Sequence, residues 1–242
     1  MNMWLFKDDK DDKDKDKSKE KEDDGPRLQN VTHDLKNDTF YSGYFPVDVD
    51  EQDMFYILFE SRRNETRDED PLIIWLRGEP GCSTTATLFE NNSPYIFGKN
   101  ETTGAPMLSN NPNSWNNFTN VLYLDSPIGT GYSFYKDASS NNTRFYSLAQ
   151  GVTDFVHFMK MFYDFHDQFR GRETYIMGQD FMAGRYIPAF VQALKDVKEE
   201  LFEDKEFEDK YLAKSTKEWQ DWINLKGIAL NSPKLDELVQ KN

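Results

Sequence analysis

A chain of 242 residues is long enough for one sizeable core, and although only 37% of it is hydrophobic, its 19 Phe, 12 Tyr and 5 Trp can fill that core. The net charge of −14 argues against nucleic acid, whose phosphates require surplus Lys and Arg, and against anionic membrane surfaces. A single cysteine, Cys82, excludes an internal disulfide, and the scattered His33, His157 and His166 have no metal-ligand spacing, so neither metal nor other cofactor is expected.

In chain order, Met1–Phe6 is apolar for too short a stretch to read as a signal peptide, and no apolar run reaches the ~18 residues of a membrane span. Residues 7–24 are charged at every position but Ser18. Such a segment buries too little to offset its ordering entropy, so residues 1–26 read as a solvated tail closed by Gly25-Pro26. Residues 27–242 then form one domain. Phe40–Phe45 and Asp53–Phe59 read as a strand pair. Pro71–Leu76 and Asn120–Leu124 are continuous apolar runs, as in strands buried on both faces. Leu148–Phe169 has helical apolar spacing, Glu173–Met177 is a short strand, Ile187–Leu201 is helical and continues into charged residues 199–220, and Ile223–Leu230 is a last strand. This order predicts an α/β fold, a mostly parallel sheet covered by helices with an antiparallel strand pair at its start. Seven Asn-x-Ser/Thr sequons, at Asn30, Asn37, Asn64, Asn91, Asn100, Asn117 and Asn141, point to a glycoprotein of secretory ancestry.

Four segments together resemble the serine carboxypeptidases, α/β-hydrolases that remove C-terminal residues from peptides. The family's Gly-Gly-Pro-Gly-Cys-Ser loop is similar to Arg77-Gly-Glu-Pro-Gly-Cys-Ser83. Ser114–Phe134 follows the family pattern throughout. Gly178-Gln-Asp-Phe-Met-Ala-Gly-Arg-Tyr-Ile-Pro188 resembles the block around the family's serine, and Ile223–Leu230 the strand after it. The resemblance implies the N-terminal half of an α/β-hydrolase, truncated, with the triad Asp and His and the last core strands beyond this chain's end. The sheet edge left there implies one of three things: a partner chain that covers it, an unstable protein, or a gene model cut short. It also implies a vacuolar, lysosomal or secretory ancestry, and a Cys82 whose usual disulfide partner lies in the later part of the family's chain.

Triad hydrolysis needs a nucleophile on a sharp strand-to-helix turn, a His base, an orienting acid and oxyanion donors. Read from Gly178, the family's serine falls on Asp180; read back from Ala183-Gly184, it falls on Phe181. Neither is a serine, and an extra Met182 is bulky for such a turn. By resemblance the oxyanion donors are the N–H groups of Glu79 and Phe181, and a peptide's C-terminal carboxylate is held by Arg77, Gly78 and Gln179. Arg and Gln both donate to carboxylates. Glu79 is expected to face water or pair with Arg77. The chain therefore reads as a serine carboxypeptidase relative that has lost its chemistry. The alternatives are a non-catalytic protein that binds peptide C-termini or acts as a scaffold, and a hydrolase completed by another chain.

Overall fold

The computed structural model describes residues 38–48, 52–79, 81–90, 92–136, 147–198, 205–211, 219–236 and 240. The charged tail and the sequons Asn30, Asn37, Asn91 and Asn141 lie outside the described residues.

The strands are β1 (Phe40–Pro46), β2 (Gln52–Phe59), β3 (Leu72–Leu76), β4 (Tyr95–Lys99), β5 (Pro106–Asn110), β6 (Asn120–Leu124), β7 (Phe134–Tyr135), β8 (Glu173–Gln179) and β9 (Asn224–Asn231). The helices are α1 (Leu148–Phe165), α2 (Ile187–Lys198), α3 (Lys205–Tyr211) and α4 (Trp219–Trp222). One sheet runs in the order β1-β2-β6-β3-β8-β9, with short β7 paired to β2. β6, β3, β8 and β9 are mutually parallel, while β1, β2 and β7 join antiparallel. The α/β reading holds, and the antiparallel pair sits at the start of the chain.

The two continuous apolar runs became central strands because both of their faces are covered. Leu72, Ile74, Leu76, Leu122 and Leu124 face the helix-side core with Phe155, Phe158, Met159 and Phe162 of α1. Trp75, Val121 and Tyr123 face a smaller core with Phe59 and Leu88. Stacking of Phe155 on Phe190, centroids 4.0 Å apart, locks α1 to α2. Ser147 caps α1 by accepting the Gln150 N–H at 3.1 Å, and the helix stops at Phe165, before a separate 3-10 turn at Asp167–Phe169.

One difference from the sequence reading is local. The hairpin β4–β5 was not anticipated, because its strands are largely exposed and carry no clean alternation. Of the charged stretch after α2, residues 199–204 and 212–218 lie outside the described residues, and α3 packs on α1. There the His157 ring stacks on Phe207 at 3.8 Å, and Lys160 forms a buried ion pair with Glu208. At the far side β9 is the edge of the sheet, with Ile228 43% exposed.

Candidate functional site

The chain leaves β3 for β6 on one side and then returns to β8 on the other. In open α/β sheets such a reversal opens a crevice beyond the carboxyl ends of the strands, where ligands bind. Three segments meet there: residues 77–79 and 81–85 after β3, 125–133 after β6, and 180–186 after β8.

Backbone bonds hold the first and third together. The Gly78 N–H donates to the Gln179 carbonyl at 3.3 Å, and the Met182 N–H donates to the Gly78 carbonyl at 3.1 Å. The second is tied in by Asp125, whose side chain sequence reasoning did not single out. Its carboxylate, 0% exposed, accepts from the Ser83 hydroxyl at 2.8 Å, the Thr85 N–H at 3.0 Å and the Tyr132 N–H at 3.0 Å. Three donors to one buried charge make a rigid tie between loops. The signal for it lay in the Asp125-Ser-Pro-Ile-Gly-Thr-Gly131 segment, an acid set among small and turn residues directly after an apolar strand.

The strand-to-helix turn is sharp, and its left-handed residue is Asp180, at φ 57°. Phe181 has ordinary helical angles, φ −65° and ψ −41°. A non-glycine residue in this region carries strain, least for Asp and Asn. Gly178 lets strand and helix approach, since a Cβ there would lie 2.7 Å from the Leu76 carbonyl and strike Ile187. The obstruction expected from Met182 does not arise. Met182–Tyr186 is a π turn in which the Ile187 N–H reaches back to the Met182 carbonyl. A turn closed over five residues instead of four takes up one extra residue, and Met182 lies in the core at 1% exposure.

The charged residues are arranged differently from expectation. The Arg77 guanidinium pairs with Glu90, while Glu79 pairs with Lys234 and not with Arg77. Lys234 belongs to a segment that follows β9 and crosses the turn. Its N–H donates to the Asp180 carbonyl at 3.1 Å, and its own carbonyl rests on Gly184, where any Cβ would collide with it. Of the residues tied to the site by resemblance, Gly78, Gln179 and Asp180 are thus joined through the backbone, and Arg77 and Glu79 carry counter-ions from their own chain. Lys234 was missed because nothing in sequence links it to Glu79, 155 positions away.

Neither described histidine serves this site. The His157 Nδ1 donates to the Val47 carbonyl at 2.8 Å. His166 shares a 2.8 Å hydrogen bond with the Tyr56 hydroxyl, and burial pushes its pKa down to about 4, so the ring is neutral. Cys82 is exposed, its N–H donating to the Glu79 carbonyl at 2.9 Å. Among the described residues no group of His, Cys, Asp and Glu is placed to hold a metal ion.

A helix-covered, mainly parallel sheet with a sharp, left-handed turn after a central strand defines an α/β-hydrolase scaffold. The family model for serine carboxypeptidases matches residues 29–242, and the chain belongs to that family. It is 34% identical over 200 residues to serine carboxypeptidase S10 family member 1 of Dictyostelium discoideum, covering 82% of this chain and 41% of that relative. It is 36% identical over 170 residues to carboxypeptidase Y of Candida albicans, covering 69% of this chain and 29% of the relative. The chain thus spans less than half the length of these relatives. A prohormone-processing carboxypeptidase from Saccharomyces cerevisiae has the same fold, with a TM-score of 0.59 at 22% identity over 79% of this chain and 38% of that one.

Proposed function

We propose that this chain binds the C-terminal carboxylate of peptides on a serine carboxypeptidase scaffold and does not hydrolyse the peptide bond. The observation that carries this reading is Asp180, at φ 57° on the turn where the family's serine belongs. A carboxylate there offers no hydroxyl to a general base, and it sets a negative charge beside the place where an oxyanion would form. In subtilisin, loss of the triad removes about six orders of magnitude in turnover.

Recognition has firmer support than chemistry. The turn is bonded to the Gly78 loop, and Asp125 is bonded to the loop after β3. Gln179 supplies an amide donor and Arg77 a guanidinium. Arg77 rests on Glu90 across an exposed pair, and such pairs are worth only about 0–1 kcal/mol, so an incoming carboxylate displaces the resting one at small cost.

The test is the affinity of a fluorescent short peptide with a free C-terminus against the same peptide amidated. A charge-assisted contact of about 1.5–3 kcal/mol makes the free acid bind roughly tenfold to hundredfold tighter. The peptide should also be recovered uncut. Equal affinities, or a shortened product, would overturn the reading.

A further inference from the structure

We infer that Lys234 is a ligand-binding cation of this site and that Glu79 is its built-in competitor, an internal carboxylate occupying the ammonium until a peptide carboxylate replaces it. The inference rests on the carboxylate-binding reading and names a residue that the resemblance does not supply.

The geometry places Lys234 at the site through two independent contacts. Its N–H is bonded at 3.1 Å to the carbonyl of Asp180, the left-handed residue of the turn. Its ammonium pairs with Glu79, the neighbour of Gly78 in the loop that grips the same turn. The backbone that carries Lys234 is braced. The Gln240 Oε1 accepts the N–H groups of Leu235 at 2.7 Å and Asp236 at 3.0 Å, and its Nε2 donates to the Pro233 carbonyl at 2.9 Å. Gly184 lets this segment lie directly against the first turn of helix. The stem of Lys234 is therefore held while its head stays accessible, with side-chain exposures of 49% for Lys234 and 43% for Glu79.

Charge explains why the pairing matters. A ligand carboxylate entering beside Gly78 and Gln179 meets the negative Glu79. Lys234 cancels that charge and offers a cation that can trade Glu79 for a ligand carboxylate. Because both partners are half exposed, their mutual attraction is weak and solvent-screened. The exchange of Glu79 for a ligand is then nearly balanced, and removing Glu79 tips it toward the ligand.

The experiment measures free-acid and amidated peptide affinities on the full chain and on Glu79→Gln, Lys234→Met, Lys234→Arg and the Glu79→Gln/Lys234→Met pair. Glu79→Gln should tighten free-acid binding about twofold to fivefold with the amide unchanged. Lys234→Met should bring the acid-to-amide ratio down by about tenfold, and Lys234→Arg should restore it. In the Lys234→Met background, Glu79→Gln should only relieve the repulsion of an uncancelled carboxylate and leave the acid-to-amide ratio below that of the parent chain. The acid-to-amide ratio within one preparation does not depend on how much of a variant folds. If the parent chain prefers the free acid and no variant changes that preference, Lys234 is not a ligand and the carboxylate-binding reading stands without it. If neither the parent chain nor Glu79→Gln prefers the acid, both are overturned.

Discussion

The Asp125 carboxylate accepts a 2.8 Å hydrogen bond from the Ser83 hydroxyl, 42 residues earlier, at a position with no solvent exposure. This bond ties the loop after β3 to the loop after β6. Asp125→Asn replaces one acceptor oxygen by an NH2 group that faces donors, and should cost on the order of 3 kcal/mol. Ser83→Ala removes one donor of several, and should cost about 1 kcal/mol. Urea unfolding midpoints give both values, and the order Asp125→Asn worse than Ser83→Ala is the expected result.

Gly184→Ala tests the segment that lies across the turn. The new methyl would collide with the Lys234 backbone, so the segment must lift and lose the Lys234 N–H bond to Asp180. Trypsin should then cleave after Lys234 faster than in the parent protein, by mass spectrometry of the fragments. Stability should fall by about 1–3 kcal/mol.

His166 predicts a pH dependence. Burial lowers its folded pKa from the ordinary 6.5 to about 4, so in this window the unfolded chain binds the extra proton. Its contribution is full above pH 6.5, and is lost as pH falls toward 4. Between pH 7 and 5 this amounts to about 2 kcal/mol. In His166→Gln, which keeps a partner for Tyr56, the loss of stability over the same interval should be smaller by that amount.

The Lys160–Glu208 pair joins α1 to α3 with side-chain exposures of 2% and 9%. Glu208→Gln leaves the ammonium buried without this carboxylate and should cost about 3 kcal/mol. The double change Lys160→Met/Glu208→Leu should be less destabilising than Glu208→Gln alone, because it removes both charges together. Thermal or urea unfolding of the two variants decides the order.

Much of this fold is written in local pattern. β3 and β6 are apolar without interruption because helices and loops cover both of their faces, and α1 keeps its apolar stripe because one side packs on the sheet. The β4–β5 hairpin escapes such a reading, since Ile96, Phe97 and Met107 are exposed and no burial alternates along it. Met182 was legible as one residue too many, but not as a π turn, because a sequence does not say how a helix takes up an insertion. The sequence offered Asp180 and Phe181 for the place of the family's serine, and the left-handed φ of Asp180 was not legible in it. The Glu79–Lys234 and Arg77–Glu90 pairs were not legible either, because the first depends on where β9 delivers the chain and both on which of several carboxylates a cation reaches.

Whether the turn at Asp180 lacks a hydrolytic nucleophile is decided by reaction of the full chain with a fluorophosphonate probe, followed by mass mapping and by incubation with an N-blocked dipeptide. The expected result is no covalent adduct on residues 178–186 and no released amino acid. An adduct in that turn together with released C-terminal residue would contradict it.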